Sequence, residues 1–203
     1  MIAPNMQTQA MKYLSKKDPV LGKVIKKVGV IEWIQDESYF YSLVSSIVSQ
    51  QLSMKAADTI WKRFEMLLPG GKTSPESVIA LEDQAIRDAG ISWSKIKYIK
   101  DLAKKTLESG ILFEQFEVMK EEEIIEEPIK VKGIGRWTAE MFLMFNMQRP
   151  DVFSYGDLGL RRAVQKLYKL RKEPSEKKAA MIANKWKPYR TIACRYLWKS
   201  LEL

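Results

Sequence analysis

Apolar residues recur along this chain at helical spacing, and strand-like alternation is absent. Phe40, Leu43, Val44, Ile47 and Val48 fall at i, i+3, i+4, i+7 and i+8, one stripe of an amphipathic helix. Ala56, Ala57, Ile60, Trp61 and Phe64 mark a second helix, which Pro69-Gly70-Gly71 stops. Ser74 followed by Pro75 reads as a cap and first helical residue, and that helix runs to Gly90. Lys95 to Leu107 is another amphipathic segment, and Glu121 to Glu127 a short acidic one ahead of Pro128. A glycine-containing turn, Val131 to Gly135, precedes a helix from Arg136 to about Met147, terminated by Pro150. After a polar stretch from Ser154 to Asp157, helices resume to the end. Residues 1–34 read as a helical arm with Val24, Ile25, Val28, Ile31 and Ile34 as its apolar positions. The expectation is an all-α protein of two lobes, one about 40–147 and the other 1–39 with 148–203.

Composition narrows the chemistry. The 203 residues are 46% hydrophobic, enough for a core, and no apolar run approaches the roughly 20 residues of a membrane helix. The N-terminal stretch lacks a signal-peptide core, so a cytosolic chain is expected, nucleoid-associated in a bacterium. There is no histidine and a single cysteine, Cys194. That excludes His-activated nucleophiles, His-ligated metals, disulfide frameworks and protein-ligated iron–sulfur clusters within this sequence. Carboxylate, lysine, tyrosine and backbone groups remain for any chemistry. The net charge of +9 is uneven: residues 158–203 carry thirteen Lys and Arg against three acids. All the surplus lies there, as expected for a polyanion partner or for a solvated basic face.

Three short segments carry candidate chemistry. Gly70-Gly71-Lys72-Thr73 resembles a phosphate loop, but Met66 stands where its first glycine belongs and no strand precedes it. Val131-Lys132-Gly133-Ile134-Gly135 between helices is more informative. It is a helix-hairpin-helix pattern, whose backbone N–H groups and helix N-terminus suit a phosphate of any sequence. Lys132 and Arg136 add charge beside it. Asp157 precedes a helical run, which reads equally as an N-cap or as a carboxylate aimed at a reacting centre.

Together these segments resemble the helix-hairpin-helix-GPD superfamily of base-excision DNA glycosylases, in its 3-methyladenine DNA glycosylase II branch. The resemblance spans roughly residues 39–200. It rests on Ser49-Gln50-Gln51-Leu52-Ser53 with Ala56-Ala57, and on Lys132-Gly133-Ile134-Gly135-Arg136-Trp137-Thr138-Ala139. Asp151-Val152-Phe153 with Asp157-Leu158-Gly159, and Trp186-Lys187-Pro188-Tyr189-Arg190 with Trp198, complete it. With about 38 residues ahead of the match, the chain resembles the minimal form, without the extra N-terminal sheet domain of larger members.

The resemblance implies a monomeric enzyme that binds double-stranded DNA across a cleft between lobes and flips alkylated purines, 3-methyladenine and 7-methylguanine, out of the stack. It assigns Asp157 as the catalytic carboxylate, acting as stabiliser or base. Trp137, Trp198 and Met141 would form the base pocket, a cationic base suiting aromatic faces. Gln51 or Leu52 would be the wedge, Gln51 being favoured because Leu52 continues the stripe from Val48. Gly133, Gly135, Lys132, Arg136 and Thr138 would bind phosphate. The carbonyls of Ile129, Val131 and Gly133 would hold a sodium or potassium ion. Bifunctional relatives carry a lysine where this chain has Trp137, which implies a hydrolase leaving an abasic site without lyase activity. Met141 replaces an aromatic of one branch. Alternatives are a glycosylase for other lesions such as hypoxanthine, or a non-catalytic DNA-binding protein.

Overall fold

A computed structural model describes residues 4–33 and 38–203. Among these there is no strand, and helices supply the whole framework. They are α1 (Pro4–Lys17), α2 (Pro19–Val28), α3 (Tyr39–Ser49), α4 (Met54–Glu65), α5 (Pro75–Ala80) and α6 (Asp83–Asp88). Then follow α7 (Trp93–Leu107), α8 (Glu121–Glu126), α9 (Arg136–Met141), α10 (Leu158–Leu167), α11 (Glu176–Asn184) and α12 (Arg190–Ser200). Two compact units result: a central one, residues 35–142, and a terminal one, residues 1–34 with 143–203. Of the expected arm positions, Ile34 lies outside the described residues.

In the central unit, α7 is the hub. α3, α5 and α6 pack on it, burying the predicted stripe Phe40, Leu43, Val44, Ile47 and Val48 with Ile96, Ile99 and Leu102. An aromatic group of Tyr39, Phe113, Phe116 and Phe142 closes the far end, centroids 5.3–6.3 Å apart. The helix expected from Ser74 to Gly90 is instead two, because Leu81 and Glu82 are extended. Lys100 of α7 makes the break possible: its ammonium donates to the carbonyls of Ile79 (2.9 Å) and Leu81 (2.5 Å), which the interrupted helix leaves unpaired. The helix after the hairpin also differs from expectation. It is α-helical only to Met141 and continues as a π-helical turn, Phe142–Asn146, in which the chain passes from the central unit into the terminal one.

In the terminal unit, α2 and α10 pack on α12 and α1 packs on α2, around Leu14, Leu21, Leu160, Val164, Trp186, Tyr196 and Leu197. The arm breaks at Asp18-Pro19, where Asp18 caps α2 through Val20 N (3.1 Å) and Leu21 N (3.3 Å). Its buried carboxylate also accepts from Trp186 Nε1 at 2.7 Å, from Lys185 Nζ at 2.8 Å and from the Tyr168 hydroxyl. One residue thus pins the arm to the segments around α10 and α11. Burial by itself would raise the Asp18 pKa, yet the bonds from Lys185, Tyr168, Trp186 and Leu21 outweigh it and hold the carboxyl below its usual range. A folded pKa below the unfolded one contributes stability above about pH 4 that is lost as pH falls through the folded value. Asp18→Asn is therefore expected to flatten the acid limb of a plot of unfolding free energy against pH below about 4, measured by urea titration. An unchanged limb would assign the acid sensitivity elsewhere.

Candidate active site

The segment from Arg149 to Asp157 has no regular structure of its own, and one face of α12 holds it. Arg190 forks onto Asp151, with Nε 2.7 Å from Oδ1 and Nη2 3.0 Å from Oδ2, and reaches the Asp151 carbonyl at 2.7 Å. Burial would lower the Arg190 pKa, but the Asp151 pairing raises it, so this bidentate contact stays charged. Thr191 Oγ1 donates to Arg149 O (2.5 Å) and accepts from Val152 N (3.0 Å). Cys194 Sγ lies 3.9 Å from Val152 O, and burial pushes its thiol pKa well up, so it serves as a packed, inert group. Eight residues beyond Arg190, Trp198 ends the row.

That row delivers Asp157. Its Oδ1 caps α10 through Leu160 N at 2.7 Å and accepts from Trp198 Nε1 at 3.0 Å. The capping reading of Asp157 is present in the geometry, and a second donor fixes the same carboxylate oxygen at 8% exposure. Gly159 permits the approach. A Cβ there would stand 3.1 Å from Asp157 Oδ1 and from the Trp198 indole, closer than ordinary contact. The Trp198 ring leans on Phe145, centroids 5.5 Å apart and tilted 32°. Arg195, which helical spacing puts on the Trp198 face, turns elsewhere: it donates to the carbonyls of Ile31 (3.3 Å) and Glu32 (2.6 Å) and covers the Trp33 ring at 3.9 Å. Sequence reasoning did not single out Phe145, and it named Asp151, Gly159 and Arg190 only as members of the matching motifs, without a role. Those three act through partners 39 positions away.

The hairpin belongs to the central unit. Gly133 has φ +87°, and a Cβ there would fall 2.1 Å from the Tyr98 ring of α7, so both the turn and the packing demand glycine. Gly135 caps α9 with φ −96° and open space where a side chain would stand. The Lys132 amide donates to Asp101 Oδ2 at 3.1 Å, and its side chain is exposed. The Arg136 side chain is paired. Its guanidinium meets Glu140 (3.0 Å) and Glu122 (2.7 and 2.9 Å), so its charge is offset. Thr138 is buried, and its backbone N–H lies in the first turn of α9. Trp137 is half-exposed and Met141 lies one turn further along α9. The expected pocket residues thus divide: Trp198 stands against Asp157 in the terminal unit, and Trp137 and Met141 belong to the central one.

The expected wedge turn follows α3. Gln51 is exposed with φ +58°, and Leu52 is 37% exposed rather than part of the core. A left-handed non-glycine residue costs about 1 kcal/mol and persists only where its surroundings impose it. Lys95 does so here. Its ammonium donates to Val48 O (2.8 Å) and Gln50 O (2.6 Å), and burial lowers its pKa. Gln50 Nε2 in turn donates to Gly133 O at 2.9 Å, so a two-step chain of hydrogen bonds ties the wedge turn to the hairpin.

Two of the carbonyls expected to hold a monovalent cation each accept a hydrogen bond. Val131 O accepts from Ile134 N (3.2 Å) and Gly133 O from Gln50, each with a second lone pair to offer. Among the described residues no cluster of three or more acidic or sulfur ligands could hold a metal.

Known proteins resemble this chain over most of its length. The DNA-3-methyladenine glycosylase 1 of Schizosaccharomyces pombe is 34% identical over 202 residues, covering 97% of this chain and 88% of its own. The solved DNA-3-methyladenine glycosidase of Bacillus halodurans superposes with a TM-score of 0.85 at 39% identity, covering 94% of this chain and 88% of that one. A Schizosaccharomyces pombe 3-methyladenine DNA glycosylase in complex with abasic DNA does so at 0.85 and 33% identity, over 96% and 97% of the two chains. Residues 44–188, most of the chain, match the profile described as HhH-GPD superfamily base excision DNA repair protein, with the hairpin, Asp157 and the α11–α12 approach all inside the match. The chain belongs to the HhH-GPD superfamily of base-excision DNA repair proteins.

Proposed function

We propose that this protein is a DNA glycosylase that hydrolyses the N-glycosidic bond of alkylated purines, 3-methyladenine and 7-methylguanine, in duplex DNA after flipping the nucleotide. The observation that carries the reading is the carboxylate of Asp157, held at one oxygen by both Leu160 N and Trp198 Nε1. N-alkylation at these positions leaves the purine cationic and its glycosidic bond weak, so departure of the base needs no strong acid. Positive charge then develops on the sugar, and a pre-oriented carboxylate stabilises it and positions the incoming water. Trp198 keeps that carboxylate in place, and its indole offers π surface to a flat cation. Backbone N–H groups of the hairpin and α9 bind phosphate whatever the sequence, and Gln51, at the strained tip of its turn, fills the vacated stack. A sodium or potassium ion at the carbonyls of Ile129, Val131 and Gly133 would add positive potential there. An indole at residue 137 in place of an amine supports hydrolysis without strand cleavage.

The test is release of bases from methylated duplex DNA by the purified protein, followed by chromatography. Release of 3-methyladenine, leaving alkali-labile but uncleaved strands, is expected of a monomer. Salt-sensitive binding without release would favour a non-catalytic DNA-binding protein, and release only from a parallel duplex containing hypoxanthine would reassign the lesion.

Lys95 offers a second check. Lys95→Met removes the donor that Val48 O and Gln50 O share, freeing the wedge turn while leaving the carboxylate centre untouched. Because small misplacements cost up to about a hundredfold in rate, base release from saturating duplex is expected to fall about tenfold or more. Duplex affinity should change little. An altered melting temperature with unchanged release would make Lys95 a purely structural brace.

A further inference from the structure

The surplus positive charge of the C-terminal quarter finds no use at the carboxylate centre. Arg190 is matched by Asp151, and Arg195 by backbone carbonyls and the Trp33 ring. Other basic residues converge where α10 turns into α11. Arg161 of α10, Arg171 and Lys172 of the connecting loop, and Lys178 of α11 line a concavity of about 650 Å³, with Glu173 its one lining acid. Glu173 does not satisfy them. It stands 3.8 Å from Arg161 Nε and 3.9 Å from Arg162 Nε, close enough to attract but too far to accept a hydrogen bond. The Nε of Arg161 is buried and meets no acceptor at all. A buried guanidinium N–H without an acceptor is an unfavourable arrangement in a folded protein, and the rest of that side chain lines a hollow with four basic residues against one acid. An oxyanion in the hollow would offset that surplus, and the planar guanidinium fork matches the paired oxygens of a phosphate.

We propose that this concavity is a phosphate site, and that the phosphate it takes is a backbone phosphodiester of duplex DNA. The site lies in the terminal unit, whereas the hairpin lies in the central one, so it would give the terminal unit its own grip on DNA. It also shares a helix with the reaction centre. Asp157 caps α10, and the Arg161 amide donates to the Asp157 carbonyl at 3.1 Å, one turn along. A phosphate held by Arg161 is therefore tied to the carboxylate through a single rigid element. Neither the hollow nor its side chains read base edges, so the contact is independent of sequence. Only the choice of DNA over free phosphate rests on the glycosylase reading.

The experiment measures dissociation constants for an undamaged duplex across a range of potassium chloride, for the wild type and two variants. Arg161→Gln combined with Lys172→Gln should reduce the slope of log K against log salt by about one for each phosphate no longer neutralised. Glu173→Gln removes the only lining carboxylate and should tighten duplex binding, a gain that impaired folding cannot imitate. An unchanged slope in the first variant, or no gain in the second, would overturn the proposal. A thermal shift with inorganic phosphate separates the sources. Stabilisation of the wild type that the double variant loses, alongside an unaltered duplex slope, would make it a free-phosphate site and sink the DNA assignment. Failure of base release in every protein would count against the glycosylase reading alone, since the slope on plain duplex is measured without it.

Discussion

Asp157→Asn is expected to lower base release by about 10²- to 10⁴-fold while leaving folding and duplex affinity nearly intact. The separation follows from the cap this residue makes and the catalytic role proposed for it. As a cap, Asn equals Asp, because an amide oxygen can accept from Leu160 N and Trp198 Nε1 as the carboxylate does. As a charge facing a developing sugar cation, the amide supplies almost nothing. Asp157→Ala loses both roles and should cost about 1 kcal/mol of stability besides, with the Trp198 N–H left without its acceptor. Single-turnover release from methylated duplex, a urea titration and an equilibrium binding curve on each variant would test this. If the Asn variant binds and folds poorly in proportion to its loss of release, Asp157 is a structural cap and the carboxylate chemistry lies elsewhere.

The two hairpin glycines should part company under substitution. Gly133→Ala drives a methyl group into the Tyr98 ring and asks a non-glycine residue to hold φ +87°. The left-handed backbone costs about 1–2 kcal/mol and the overpacking about 1–3 kcal/mol, so the folded state should lose roughly 2–5 kcal/mol. Any loss of DNA binding in that variant would follow from unfolding and says little about phosphate. Gly135→Ala is the informative change. Its backbone is ordinary and its side-chain direction is open, so stability should fall by no more than about 1 kcal/mol, the difference between a glycine and an alanine cap. A methyl group at the mouth of α9 should nonetheless hold a phosphate away from the N–H groups. Binding to every duplex alike should weaken by about 1.5–3 kcal/mol, the range of a charge-assisted hydrogen bond. Thermal melts with binding to two unrelated duplexes would decide it, and a sequence-selective loss would contradict a phosphate role for this turn.

Helix content and the stripes of α3, α4 and α7 were legible from spacing alone, because burial of one helical face is a local regularity that repeats every three or four residues. Caps were legible for the same reason: Ser74, and Asp157 in its capping role, act on amides three residues away. The breaks were not. Leu81–Glu82 is opened by Lys100 some twenty positions on, and Asp18 gathers Tyr168, Lys185 and Trp186 from 150 or more positions away. A periodicity argument sees neither partner. The same holds for Arg136, whose place beside the hairpin suggests a phosphate ligand although Glu122 and Glu140 occupy its guanidinium.

Local spacing and composition are enough to specify an all-helical chain with a GxG hairpin, a candidate carboxylate at Asp157, a surplus of positive charge in the last quarter, and chemistry without histidine or cysteine ligands. Packing adds what spacing cannot hold. Trp198 meets the same Asp157 oxygen as the α10 amide, Lys95 and Gln50 join the wedge turn to Gly133, and Tyr98 dictates that Gly133 be a glycine. Each of those is a single hydrogen bond or contact between residues 35 or more positions apart. Such pairs leave no periodic trace in the sequence, and arise only when packed helices bring particular side chains and carbonyls within about 3 Å.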